Sequence, residues 1–83
     1  MSELTVRLFG PQAAMVGRSS VTLPLEGPAI TCGRLRETLA RVEPALAASL
    51  PASRFAVNHE YADDEQTVSE ADEVALVGMI GGG

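Results

Sequence analysis

The chain has 83 residues, 46% of them hydrophobic, with 6 basic and 11 acidic side chains and a formal net charge of −5. That is enough for one small domain with a limited core, and too apolar for a disordered chain. The negative balance argues against nucleic acid and anionic membrane as partners and favours a partner with a basic surface.

The lone cysteine, Cys32, cannot form an internal disulfide, which fits a reducing compartment. No apolar run approaches the roughly 18 residues of a membrane span. The opening stretch, Met1 to Gly10, lacks the basic-then-apolar layout of a secretory leader, so a cytoplasmic protein is expected.

Leu4, Val6 and Leu8 alternate with Thr5, Arg7 and Phe9, a period of two that predicts a half-buried strand. Gly10-Pro11 breaks it, and Gln12 to Val16 has room for one helical turn closed by Gly17. Val21, Leu23 and Leu25 alternate again, giving a second strand that closes over Pro24 to Pro28. The short linker between the two predicts an antiparallel hairpin.

Thr31 is suited to cap a helix, because its hydroxyl can accept from the first free backbone N–H groups. Leu35, Leu39, Val42 and Leu46 follow on one helical face. Pro44 lacks an N–H and disfavours the helical conformation at Glu43, so the helix is expected to stop or bend there. Ala45 to Leu50 could add a short turn before Pro51.

Arg54 to Asn58 reads as a third strand, with Phe55 and Val57 on one face. Asn58-His59-Glu60 is a turn sequence, since Asn tolerates positive φ, and Tyr61-Ala62 is a short return strand. Asp63 to Asp72 is an acidic surface connection with one turn expected around Thr67 to Glu70. Glu73 to Val77 is the last strand, and Gly78 opens a tail that finishes Gly81, Gly82, Gly83.

The order strand, strand, helix, strand, short strand, strand predicts an α+β fold, with one main helix laid across one face of a mixed four- to five-stranded sheet. A right-handed crossover would set the last strand beside the first. This is the ubiquitin-like β-grasp arrangement. Residues 1–77 form the expected domain, and residues 78–83 a flexible C-terminal tail leaving directly from a central strand.

The tail carries the strongest functional signal. Glycine has no Cβ, so such a segment can lie extended in a channel too narrow for a side chain. At its tip the Gly83 carboxylate is ionised at neutral pH. The competing reading is a frayed, solvated terminus.

If Leu4, Val6 and Leu8 face the helix, Phe9 points to the opposite side of the sheet, and Val77 and Ala75 share that outer face by parity. These three would form a docking patch beside the tail, unless loops cover them or Phe9 folds inward. Met79 and Ile80 make better sense buried in a partner than facing solvent.

Other sites are bland. His59 has no second imidazole or thiol nearby for a metal cage and reads as a solvated turn residue. Cys32 falls in the first helical turn, where the dipole could lower a thiol pKa, although a buried structural cysteine is the commoner case. No nucleotide-binding glycine pattern occurs. Asp63, Asp64, Glu65, Glu70, Asp72 and Glu73 lack calcium-loop spacing and read as a solvated face or a surface for a basic partner.

Ala56-Val57-Asn58, then Asp72-Glu73-Val74-Ala75-Leu76 and the closing Gly82-Gly83, resemble the MoaD/ThiS sulfur-carrier family, most of all its molybdopterin synthase branch. The Val6-Arg7-Leu8-Phe9 strand, the Thr31-capped helix and Glu43-Pro44-Ala45-Leu46 extend the resemblance over nearly the whole chain. It implies an acyl carrier rather than a complete enzyme. A partner adenylating enzyme of the kind that activates ubiquitin-like proteins would use ATP and magnesium on the Gly83 carboxylate, and a persulfide donor would supply sulfur to give a thiocarboxylate.

In the molybdopterin branch the tail enters the large molybdopterin synthase subunit and gives its sulfur to a pterin precursor. In this picture Gly83 carries the chemistry, and Gly82 and Gly81 give steric access. The resemblance implies that this chain itself binds no cofactor and no metal.

The chain departs from the family pattern in three places. Gly78-Met79 stands where a proline pair is frequent, Pro11-Gln12-Ala13-Ala14 lacks a common Arg-Glu pair, and Gly81 replaces the usual Ser or Thr. Alternative readings are a sulfur carrier for thiamine, tRNA or cysteine synthesis, or a non-covalent β-grasp binding module with an inert tail.

Overall fold

A computed structural model describes residues 2–78. Strand β1 (Ser2–Arg7) pairs antiparallel along its whole length with β2 (Ser20–Leu25), the expected hairpin. Helix α1 (Gly10–Val16) lies between them and has 7 residues rather than a single turn. Pro11 is the reason: it sits in the first helical turn, where its missing N–H costs nothing, and so starts the helix instead of delaying it. Gly17 ends α1 in the left-handed conformation at φ 79°, and its N–H donates to the Ala13 carbonyl.

Strand β3 (Ile30–Thr31) runs straight into the main helix α2 (Cys32–Val42), whose N-cap is Thr31; its hydroxyl accepts from the Arg34 N–H at 3.2 Å. The helix stops before Glu43-Pro44, as the proline requires, and two 3-10 turns follow at Pro44–Leu46 and Leu50–Ala52. Strand β4 (Ser53–Val57) and β5 (Glu60–Ala62) form a second hairpin. Its two-residue connection, Asn58-His59, has positive φ at both positions, 53° and 72°, the turn whose twist matches paired strands.

The stretch expected to turn at Thr67 to Glu70 instead begins with β6 (Thr67–Val68), which pairs antiparallel with β3. That small second sheet was hidden because its pairing is between residues distant in sequence, and local pattern carries no such information. The last strand, β7 (Val74–Gly78), starts one residue later than expected and keeps Gly78 inside the sheet.

The five-stranded sheet has the order β2-β1-β7-β4-β5, with β7 parallel to β1 and antiparallel to β4. Register aligns the core rows. Val21, Val6, Val74 and Val57 are successive cross-strand partners, as are Leu76, Phe55 and Ala62, and all seven are buried. Cys32, Leu35 and Leu39 of α2 pack on this face, with Leu46 and Leu50 from the 3-10 turns closing one end.

Each such side chain taken out of water contributes about 1.5–3 kcal/mol before entropy is counted. Val42, expected on the buried stripe, is 45% exposed, because it is the last helical residue before the chain turns at Glu43. Pro24 is tolerated within β2 because β2 is an edge strand. No helix among the described residues is long and apolar enough to cross a membrane.

Candidate functional site

The centre of the sheet delivers the chain to its C-terminal segment. β7 is flanked on both sides, and Gly78, its last residue, is opposite Ser53 of β4. Whatever follows Gly78 therefore starts from a position fixed by hydrogen bonds to β4. Met79, Ile80, Gly81, Gly82 and Gly83 lie outside the described residues.

The outer face follows the parity of the strands. Val74 and Leu76 are buried while Ala75 and Val77 between them are half-buried on the other side. Phe9 caps the N-terminus of α1 in an extended conformation and is 52% exposed, with the Arg7 guanidinium 5.8 Å from its ring. Phe9 and Val77 line one groove of about 450 Å³, with Pro11, Met15 and Ala52 among its apolar walls and Gln12, Ser49 and Ser53 also lining it. Ala75 does not line it; it lies two residues back on the same face, paired with Arg7 and Ala56.

This face carries charges of both signs, with the Arg7 guanidinium 3.9 Å from the Glu73 carboxylate. Arg54 is the register partner of Val77 and stacks 5.6 Å over the Tyr61 ring, while Arg7 is the partner of Ala75. A partner reaching this face meets two guanidinium groups, that of Arg7 beside Glu73.

Beneath the groove is a polar cluster that sequence reading did not single out. Gln12 and Ser53 are each 4% exposed. The Gln12 Nε2 donates to Ser53 Oγ at 2.7 Å and to Ser49 Oγ at 3.1 Å. Ser53 Oγ donates to the Ser49 carbonyl at 2.7 Å, and Ser49 Oγ to the Leu46 carbonyl at 2.9 Å.

Both hydroxyl protons are therefore engaged, which leaves the two hydroxyl oxygens as acceptors and fixes the carboxamide orientation. The other end, Gln12 Oε1, is buried with no partner among the described residues, and a Cβ built on Gly78 would be 3.4 Å from it. A buried acceptor left unmade costs about 1–3 kcal/mol. The one available signal was Gln12 standing one turn before Val16, a half-buried residue packed against the core.

The remaining candidates have local roles. Cys32 is fully buried, and burial pushes its thiol pKa up, Asp64 and Asp63 adding to the effect against the opposing Arg36; this is the reverse of an activated thiol. His59 is exposed in its turn, with Nε2 3.4 Å from Glu73.

The acidic segment is largely exposed, and several of its carboxylates also hold its loops in place. Asp63 Oδ1 accepts from the Glu65 and Gln66 N–H groups, and Asp64 pairs with Arg36 at 2.9 Å. Asp72 accepts from Asn58 Nδ2 at 3.0 Å and from the Ser69 N–H at 2.8 Å. These bonds, the Asn58 one first, hold its carboxyl below the usual value. Among the described residues no three His, Cys, Asp or Glu side chains converge as a metal site.

A helix lying across one face of a mixed five-stranded sheet, with the last strand in the centre beside the first, defines the ubiquitin-like β-grasp class. SAMP1 from Haloferax volcanii has this fold: the structures agree with a TM-score of 0.82 at 22% identity over 99% of this chain and 100% of that one. A chain of the Helicobacter pylori complex of subunits 1 and 2 of molybdopterin-converting factor is also similar, with a TM-score of 0.66 at 19% identity over 99% of this chain and 100% of that one.

The ThiS family model matches residues 6–83, and the chain belongs to the ThiS family, the MoaD/ThiS relationship that its sequence indicates. A curated relative, the molybdopterin synthase sulfur carrier subunit of Dictyostelium discoideum, is 26% identical over 99% of this chain and 98% of its own length.

Proposed function

We propose that this protein is a ubiquitin-like sulfur carrier that works through its terminal glycine, in molybdopterin synthesis. The observation that supports this most is the family match itself, which runs through residue 83 and so includes the glycine tail. The relative named as a molybdopterin synthase sulfur carrier subunit adds the branch. Occurrence of the similar Helicobacter pylori chain in a complex of subunits 1 and 2 of molybdopterin-converting factor supports the kind of partner.

The chemistry follows from the carboxylate. As an anion, Gly83 is a poor acyl donor. In the proposed sequence the partner's ATP, held with magnesium, is attacked at its α-phosphorus by a Gly83 oxygen; pyrophosphate leaves and an acyl adenylate forms. The terminal sulfur of a donor persulfide displaces AMP, giving an acyl disulfide. A second thiol of the donor cleaves that S–S bond, forming a disulfide on the donor and releasing the thiocarboxylate.

The chain's own part is access and docking. Gly81 to Gly83 present no side chain to a narrow channel, and Gly83 alone takes part in bond making. Phe9, Val77 and Ala75 offer the apolar outer face on which the large synthase subunit and the adenylating enzyme would seat. Met79 and Ile80 extend that apolar surface along the tail in the complex.

Deletion of Gly83 tests the reading. The shortened chain should fold normally, bind its adenylating enzyme, and support no ATP-dependent thiocarboxylate formation. Sulfur loading that survives the deletion, or partner function that needs no tail, would overturn it in favour of a non-covalent binding module.

A further inference from the structure

We propose that Arg36 is the positioning residue of the docking face. Its guanidinium fixes the Leu50–Ser53 turn, which carries one wall of the groove and the strand partner of Gly78, in the place that partner binding requires. This rests on the reading that the adenylating enzyme and the large synthase subunit seat on the outer face, and adds what holds that face in shape.

One side chain reaches three segments. Arg36 projects from α2, and its Nη1 donates to the Leu50 carbonyl at 2.6 Å and to the Ser53 carbonyl at 2.9 Å. Its Nη2 donates to Asp64 Oδ1 at 2.9 Å, and the guanidinium lies over the Phe55 ring, 5.5 Å from its centre. The side chain is only 23% exposed, so these are charge-assisted bonds in a half-buried place rather than contacts of a solvated surface cation. Both Nη1 hydrogens go to backbone carbonyls while Nη2 takes the carboxylate, a planar fork that a lysine ammonium does not reproduce.

The two carbonyls are the two ends of one short segment. Leu50 and Ser53 are buried, while Pro51 and Ala52 between them are exposed. Ala52 and Ser53 line the groove with Phe9 and Val77, and Ser53 is the register partner of Gly78. The Leu50 carbonyl also accepts the Ser53 N–H, so Arg36 clamps the turn across both ends.

Behind the same turn lies a second recess of about 510 Å³, lined by Arg36, Pro51, Arg54 and Asp64 among others. The turn therefore has open space on both sides. Gln12 holds it from α1 through the Ser49 and Ser53 hydroxyls, and Arg36 holds it from α2 through main-chain oxygens. Without the guanidinium, the Leu50 side chain stays in the core and the fold persists, but the Ala52 wall is free to shift toward the second recess. A displaced groove wall weakens docking and leaves bond making at Gly83 untouched.

Arg36→Met and Arg36→Lys in the full-length protein, below its unfolding transition, test the proposal. Arg34→Met is the control for losing a positive charge on the exposed side of the same helix. In adenylate formation by the host's activating enzyme, Arg36→Met should raise KM for the carrier about tenfold with kcat at saturating carrier unchanged. Arg36→Lys should raise it less, and Arg34→Met by under about twofold. In nitrogen–proton correlation spectra the Ser53 and Gly78 amides and the Gln12 carboxamide should move in the Arg36 variants and stay in place in the control.

A purely structural arginine would lower the unfolding midpoint and leave both KM and the Gly78 amide where they are. That result overturns the proposal, as does an equal rise in KM from Arg34→Met or a fall in kcat alone. If Arg36→Met does not fold, Arg36→Lys is read against the same criteria. Amides unmoved in the Arg36 variants overturn the proposal whether or not the parent chain is adenylated, whereas a parent chain that is never adenylated refutes the carrier reading.

Discussion

Gln12 and Ser53, 41 positions apart in sequence, meet at 2.7 Å beneath the last residue of the central strand. Ser53 is also the register partner of Gly78, so one buried contact ties α1, the start of β4 and the root of the C-terminal segment together. The wall of the groove and the point where the chain leaves the sheet are thereby held in a fixed relation.

Ser53→Ala removes the acceptor for Gln12 Nε2 and the donor to the Ser49 carbonyl. Leaving these buried groups unpaired should cost about 1–3 kcal/mol of stability, read as a lower denaturant midpoint with unchanged slope. A loss no larger than that of an exposed serine would show that the cluster is replaced by water without penalty.

Phe55→Ala should cost more, about 3–5 kcal/mol, because Phe55 is fully buried at the middle of the core and the cavity cannot collapse onto its cross-strand neighbours. Against a total of about 5–15 kcal/mol for a domain, the variant is expected to be largely unfolded by mild denaturant. Urea titration followed by circular dichroism reads this directly, and a midpoint close to that of the parent chain would contradict the core as described.

The Asp72 lock gives a pH signature. Its carboxyl is held below the usual value, first by Asn58 Nδ2 and then by the Ser69 N–H. A depressed folded pKa stabilises the fold above the unfolded carboxylate value of about 3.9, and that gain is lost as pH falls through the lower folded value. Thermal melts of Asp72→Asn should therefore lie below the parent at neutral pH and converge with it in acid. Parallel curves at every pH would remove Asp72 from the acid response.

Phe9→Asp places a charge at the edge of the groove without disturbing the core, since Phe9 is half exposed. Stability should move by no more than about 0.5 kcal/mol. Affinity for the large synthase subunit should drop by about 2 kcal/mol, roughly 30-fold, as for an aromatic anchor at an interface. Unchanged affinity, measured by calorimetry, would take Phe9 out of the docking face.

The alternation of Leu4, Val6 and Leu8 and of Val74 and Leu76 made the sheet legible, because a half-buried strand has only one way to sort its side chains. Thr31, Pro44 and Asn58 marked the two helix ends and the hairpin, each through a local backbone requirement that the structure keeps. The pairing of β3 with β6 and the Gln12–Ser53 contact were not legible. Both join residues far apart in the chain and depend on packing that no local spacing encodes.

The outer-face parity of Phe9 and Val77 could be read directly, whereas the glutamine beneath them looked like an ordinary polar helix residue. Net charge does not describe that face, where Arg7, beside Glu73, and Arg54 stand on the sheet while Asp63, Asp64 and Asp72 are engaged in their own loops.

The central claim is that Gly83 is a sulfur-carrying group, and intact-mass analysis of the protein isolated from its own host, and again after incubation with that host's adenylating enzyme, ATP, magnesium and a persulfide donor, tests it most directly. The account predicts replacement of one terminal oxygen by sulfur, localised to Gly83 by fragmentation and abolished when Gly83 is deleted. A carboxylate that stays unmodified under both conditions, with the partner enzyme active on another carrier, would contradict it.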